Sequence, residues 1–215
     1  MSNIIILDVA QGSPEWLAAR AGSLGASQLA DALAKTKTGW GASRTNLKAK
    51  LIAERLTGQP QDTFSNAAMQ WGIEQEPKAR ECYSFQIGKA VREVGLVKHP
   101  TIIGSHCSPD GLVEEDGLCE IKAPNTATHL ETLVGGSIPQ KYVLQMQWQM
   151  ACTGRDWCDF VSYDPRLPVE MQLHVQRVAR DNEFIDELER DVVSFLAEVD
   201  ATVADLHSRY LKEAA

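Results

Sequence analysis

The stretch from Ser108 to Lys122 constrains this chain more than any other. It reads Ser-Pro-Asp-Gly-Leu-Val-Glu-Glu-Asp-Gly-Leu-Cys-Glu-Ile-Lys. Leu118 to Ala123 has the makings of a short strand. Glu115-Asp116-Gly117 carries the Asp-Gly turn signal that folds such a strand back on Leu112 to Glu114. The spacing therefore predicts a hairpin. Side chains alternate across a strand, so Glu120 and Lys122 share one face while Cys119, Ile121 and Ala123 take the other. Asp110, at the far end of the hairpin, can come up to the same place.

That grouping has a chemistry. Two carboxylates, Asp110 and Glu120, with a backbone carbonyl make the hard oxygen set that Mg²⁺ or Mn²⁺ prefers. A cation held so can activate water and neutralise a phosphodiester, and Lys122 would position the water or offset developing charge. Taken alone, Asp-x9-Glu-x-Lys is a loose pattern that equally fits the wet face of an edge strand.

Composition narrows the field. At 215 residues, 44% hydrophobic and 23% charged, the chain is ordinary globular protein able to bury a large core. A single domain over 1–215 is expected, with a helical appendage at 181–215. No apolar run approaches a membrane span, and the opening Met-Ser-Asn-Ile-Ile-Ile-Leu-Asp lacks the pattern of a signal peptide, so a cytoplasmic location is expected. The five cysteines, at 82, 107, 119, 152 and 158, show no Cys-x2-Cys spacing, which argues for reduced, mostly buried thiols and against zinc or iron–sulfur. A net charge of −8 speaks against nucleic acid, but its distribution softens the objection. Residues 1–60 carry seven Lys/Arg against four Asp/Glu, and residues 181–215 three against ten.

Along the chain, Ser13-Pro14 marks a helix start through Arg20, and Gly22 to Gly25 a break. Ser27 is expected to cap a second helix to about Ala34, placing its hydroxyl and free N–H groups where an anion could bind and where Arg20 could reach. Lys35, Lys37 and Trp40 form a basic, aromatic loop that suits a phosphate backbone. Helices are expected over 44–57, 66–85, 125–133 and 139–152, and strands at 4–7, 90–97, 101–106, 157–163 and 171–178. Glu76 lies on the 66–85 helix, and Tyr142, Gln145 and Gln149 share a stripe of the 139–152 helix. His106 has no partner histidine and is read as structural. From about Asn182 to Leu211 a long amphipathic helix repeats apolar residues from Phe184 to Tyr210 under an acidic exterior.

Five elements follow in order: Trp16-x3-Arg20-x-Gly22-x3-Ala26-Ser27, Trp71-Gly72-x3-Glu76, Ser108-Pro109-Asp110-Gly111, Glu120-x-Lys122-x-Pro124, and Tyr142-x2-Gln145-x-Gln147. As a set they resemble the lambda exonuclease family, the YqaJ-type viral recombinases within the PD-(D/E)xK nucleases. The likeness spans roughly residues 8 to 180. It implies an α/β, restriction-endonuclease-like fold with a central mixed β-sheet flanked by helices. It further implies an Mg²⁺-dependent exonuclease that degrades one strand of linear double-stranded DNA from its 5′ end, releases mononucleotides, and leaves a 3′ tail for a phage single-strand annealing protein. A ring-shaped homotrimer is implied too.

Residue by residue, the resemblance makes Asp110, Glu120 and the Ile121 carbonyl metal ligands, Lys122 the water-orienting group and Glu76 a further acid. Gln145 falls beside the centre. Arg20, Ser27 and Ser108 match a pocket for the 5′-phosphate, Met69 a strand-parting wedge, and Lys37 a minor-groove contact where lambda exonuclease carries arginine. A site-specific endonuclease on the same fold, or a DNA-end-binding protein with a silent site, are the competing expectations.

Overall fold

The computed structural model describes residues 4–61 and 66–211. The ends of the expected 1–215 domain and of its 181–215 appendage thus lie outside the described residues. In chain order the elements are β1 (Ile5–Leu7), α1 (Pro14–Arg20), β2 (Leu24–Gly25), α2 (Leu29–Ala32), β3 (Lys35–Thr36), β4 (Gly39–Trp40), α3 (Ala42–Thr57) and α4 (Ala67–Ile87). There follow β5 (Val91–Arg92), β6 (Leu96–Lys98), β7 (Ser105–Cys107), β8 (Gly111–Val113), β9 (Gly117–Lys122), α5 (Thr126–Leu133), α6 (Gln140–Thr153), β10 (Trp157–Tyr163), β11 (Leu173–Ala179) and α7 (Asn182–Tyr210).

A five-stranded sheet in the order β11-β10-β9-β8-β5 holds the middle of the fold. It is mixed: β9 and β10 run parallel, while the other neighbours are antiparallel. A four-stranded sheet, β1-β6-β7-β2, stands beside it, and β3-β4 make a separate hairpin. Apolar side chains fill both faces of the central sheet. On one, Leu118 and Phe160 meet Trp148 and Met150 of α6 and the α7 stripe through Leu188, Val192 and Phe195. On the other, Cys119, Ile121 and Val161 meet Ala79 and Tyr83 of α4.

The expected hairpin is present as β8 and β9, registered Val113↔Gly117 and Gly111↔Cys119. Its turn differs in detail. Glu114 takes the left-handed conformation (φ 46°), and Gly117 already belongs to the strand. The glycine there answers to a close approach, since a Cβ would fall inside the Trp157 indole.

Two strand expectations are corrected. Residues 90–97 split into β5 and β6, which pair in different sheets; Gly95 lets the chain cross against the Val9 and Leu7 carbonyls, where no side chain fits. Residues 101–104 are loop, because His99 Nδ1 accepts the Ile102 amide at 3.0 Å and takes that donor out of any ladder.

The helix starts follow their caps. Ser13 accepts from Trp16 N ahead of Pro14, Asn66 from Met69 N, and Asn125 from Thr128 N. The long α7 docks on the core, and its acidic face meets the basic α3: Arg44 and Lys48 pair with Glu198 at 2.7 and 3.2 Å, and Arg55 with Asp200. Arg44 is buried between the Trp40 and Phe195 rings. Of the seven basic residues in the first sixty, three are therefore paired with α7 and Lys50 lies 3.8 Å from Glu54 of its own helix, leaving Arg20, Lys35 and Lys37 without a carboxylate partner among the described residues. All five cysteines are free thiols, four of them buried.

Candidate active site

Strand β9 lies between β8 and β10, so the edge-strand reading of Glu120 fails. Glu120 is 0% exposed, an ionisable residue set into the apolar face that α6 covers. Lys122, one alternation further, forms an ion pair with Glu120 Oε1 and lies 5.2 Å from the Tyr142 ring centroid. Gln149 of α6 donates to Glu120 Oε2 at 2.5 Å. Asp110, immediately before β8, accepts the Ile121 amide on Oδ2 at 2.6 Å, which brings the first carboxylate to the second through the hairpin itself.

Glu76 approaches from α4. Its carboxylate pairs with Arg80 one turn on, and Arg80 Nε donates to the Asp110 carbonyl at 2.8 Å while its Nη1 reaches Glu93 at 2.5 Å. Arg80 escapes sequence reading because its bond to the site, the Asp110 carbonyl, lies thirty residues away; only its position four after Glu76 hints at it.

The electrostatics are those of acids forced together. Burial and then Glu120 push the Asp110 carboxyl well above its ordinary value, against the pull of Lys122 and the Ile121 amide. Burial also raises Glu76, with Arg80 opposing and Glu120 adding to it. Burial works against the Lys122 ammonium, yet Glu120 and Asp110 outweigh it and hold the lysine charged.

Glu120 Oε1, although beside Lys122, has no hydrogen bond of acceptable geometry. A buried carboxylate oxygen left so, and a second carboxylate raised by its neighbour, fit a site whose excess negative charge a divalent cation would relieve. Among the described residues no group of three His, Cys, Asp or Glu side chains has metal-binding geometry. Asp110 and Glu120 are the side chains that could hold such a cation.

A cleft of about 170 Å³ adjoins these residues, lined by Trp16, Arg20, Ser27, His106, Ser108 and Gln145 among others. Arg20 lies flat on Trp16, 3.8 Å from the ring centroid, and Trp16 Nε1 donates to Ser108 Oγ at 3.0 Å. The cleft thus brings together Arg20, Ser27, Ser108 and Gln145. The reason given for Ser27 is corrected. A 3₁₀ turn over Ala26–Gln28 precedes the four-residue α2, its cap is Gly25, and Gln28 Oε1 takes the Gly25 amide at 2.9 Å. Ser27 offers a hydroxyl, and no helix N-terminus backs it.

Met69 and Lys37 do not line the cleft. Met69 is 49% exposed in the first turn of α4, and Lys37 is exposed in the turn joining β3 to β4. The resemblance puts Gln145 beside the catalytic centre, while Gln149 reads only as one polar residue of a stripe. Gln149 hydrogen-bonds to Glu120, and Gln145 lines the cleft.

The fold is mixed α/β, and in it Asp110, Glu120 and Lys122 come together on one hairpin. The YqaJ-like viral recombinase domain matches residues 15–156. An alkaline exonuclease from Laribacter hongkongensis, LHK-Exo, is 51% identical, with 94% of this chain and 100% of that chain covered at a TM-score of 0.87. Its complex with dAMP matches equally well, at 52% identity, the same coverage and the same TM-score. A phage-related exonuclease from Haemophilus somnus shares the fold at 16% identity and a TM-score of 0.65, over 86% of this chain and 96% of that one. No curated protein matches the chain. The chain belongs to the YqaJ-like viral recombinase family, and its enzyme class is DNA exonuclease. Among the described residues no helix is long and apolar enough to cross a membrane.

Proposed function

We propose that this exonuclease degrades linear duplex DNA from 5′ to 3′ with Mg²⁺, Mn²⁺ being a possible substitute, releasing 5′-mononucleotides and leaving 3′ single-stranded tails. The observation that carries the reading is the continuity of cleft and centre. Ser108 lines the cleft beside Arg20, and Asp110 of the carboxylate pair follows two residues later in the segment that leads into β8. A 5′-terminal phosphate seated on Arg20, Ser27 and Ser108 would present the adjoining phosphodiester to Asp110 and Glu120. That a relative half identical to this chain is seen with dAMP, a 5′-mononucleotide, supports the product class.

Asp110, Glu120 and the Ile121 carbonyl would hold the cation, which when bound supplies charge neutralisation and an acidified water. Lys122, kept cationic by its two carboxylates, would orient that water and offset charge on the phosphate oxygens. Glu76 would be a further acid beside them, and Gln145 would contact the strand end in the cleft. Lys37 and Met69, exposed away from the cleft, would act on the duplex ahead, the first in the minor groove and the second as a wedge. The 3′ tail would pass to a phage single-strand annealing protein in the host cytoplasm. Assembly as a homotrimeric ring would let enclosure replace the electrostatic attraction that a chain of net charge −8 lacks.

Digestion in Mg²⁺ of linear duplex labelled at either end, with and without a 5′-phosphate, beside a covalently closed circle, tests this. Loss of the 5′ label as mononucleotides, faster with phosphate and absent on the circle, is expected. Cutting of the circle, or earlier loss of 3′ ends, would overturn polarity and end dependence.

A further inference from the structure

His106 enters the cleft from β7, paired in register with Gly25 of β2, and its ring is 2% exposed. Arg20 Nε donates to His106 Nε2 at 3.2 Å. A guanidinium has only hydrogens to give, so Nε2 must carry the lone pair and the ring proton must sit on Nδ1. Nδ1 lies 2.8 Å from Ser23 Oγ, which accepts that proton. The ring is thereby fixed in one tautomer by partners on both sides.

Arg20 is held in turn along two directions. The Trp16 indole packs against it, with Cζ 3.8 Å from the ring centroid, and His106 takes its Nε–H. No protein acceptor among the described residues takes its Nη hydrogens, which remain for a ligand. A carboxylate in place of His106 would orient the arginine equally well, but it would also neutralise it and repel a phosphate. A neutral imidazole orients without cancelling the charge, and burial together with Arg20 keeps the ring neutral by lowering its pKa to about 3. Gly25 belongs to the same arrangement, because a Cβ there would stand 3.0 Å from Nε2.

We propose that His106 is a positioning residue which, through Nε2, holds the Arg20 guanidinium in the orientation that receives the 5′-phosphate of the strand to be cut. The proposal rests on the phosphate-pocket reading above. It adds a residue that the linked motifs did not include, and it makes phosphate preference, not cleavage as such, the property that His106 controls.

The test compares single-turnover cleavage of 5′-phosphorylated and 5′-hydroxyl linear duplex by wild type, Arg20→Ala, His106→Ala, His106→Gln and the Arg20→Ala/His106→Ala double variant. The expected result is at least about a tenfold fall in the phosphate-to-hydroxyl rate ratio for His106→Ala, recovery of most of it in His106→Gln, whose amide oxygen can accept from Arg20, and no further fall in the double variant. If Arg20→Ala keeps the wild-type ratio, the pocket reading fails and the proposal with it. If Arg20→Ala loses the ratio while His106→Ala keeps it, or slows both substrates alike, His106 alone is overturned. Nitrogen-15 NMR of the wild-type ring gives a check that needs no variant to fold. A protonated Nδ1 with bare Nε2 is expected, and a protonated Nε2 would overturn the proposal.

Discussion

Gln149 Nε2 and Glu120 Oε2 lie 2.5 Å apart, so the buried carboxylate of β9 is held by an amide from a helix 29 residues further along the chain. A short strand cannot by itself fix a χ angle on an interior glutamate. The helix packed over it does.

Replacing Gln149 with leucine should therefore free Glu120 to turn and leave its Oε2 without a donor. Loss of a buried partner of this kind costs about 1–3 kcal/mol. We expect a drop of roughly tenfold or more in single-turnover cleavage, given that 1.4 kcal/mol is a factor of ten, with a higher Mg²⁺ concentration for half-maximal rate. A Mg²⁺ titration that matches wild type would show the bond to be irrelevant to the site.

Asp110→Asn and Lys122→Ala should both abolish cutting while leaving the fold intact. They part company in stability. Burial and Glu120 disfavour the ionised Asp110, so the neutral asparagine, still able to accept the Ile121 amide, should raise the melting temperature of the metal-free protein. Removing Lys122 takes away the cation that offsets Glu120 and should lower the melting temperature. An active Lys122→Ala protein would remove the lysine from the mechanism.

The raised Asp110 and Glu76 values fix a sign for pH dependence. Each carboxyl is easier to ionise in the unfolded chain, so its contribution to stability is fully present below the ordinary carboxyl range and is lost as pH rises through the raised folded value. The stability gap between metal-free wild type and Asp110→Asn should accordingly widen in that direction. Mg²⁺ binding should release protons over the same window, visible in calorimetry as a heat that varies with the ionisation enthalpy of the buffer. A heat independent of the buffer would contradict the ligand assignment.

Gly117→Ala drives a methyl into the Trp157 indole at the first residue of the strand bearing Glu120 and Lys122. Overpacking of this sort costs about 1–3 kcal/mol. A lowered denaturant midpoint with reduced activity is the expected pair of results, and an unchanged midpoint would mean the ring moves aside freely.

Lys37→Ala should weaken duplex binding uniformly across sequences and reduce the slope of log affinity against log salt by about one. An unchanged slope would take Lys37 off the DNA.

Much of this was legible in the order of residues. The alternation Glu120-Ile121-Lys122 put acid and lysine on one face, the caps at Ser13, Asn66 and Asn125 opened their helices where expected, and the apolar stripe of α7 found the core. The failures share a cause. Ser27 was read as a cap from its own neighbours, but Gln28 turned back to Gly25 and shaped a 3₁₀ turn instead. Residues 90–97 read as one strand because their pattern is continuous; only the partners, in two sheets, divide them. Part of the basic bias of the first sixty residues is internal, since Arg44, Lys48 and Arg55 pair with acids of α7 some 145 to 154 positions away.

Local rules of alternation, capping and turn chemistry act within a few residues, and for that reason the sequence by itself determined the hairpin, the helix starts and the company of Asp110, Glu120 and Lys122. Tertiary structure alone decided that β9 is central and its glutamate buried, that Gln149 and Arg80 brace the carboxylates, and that His106 faces Arg20. Those relations join residues 29 to 86 positions apart. Packing sets them through burial, hydrogen bonding and charge, and no window along the chain contains both partners.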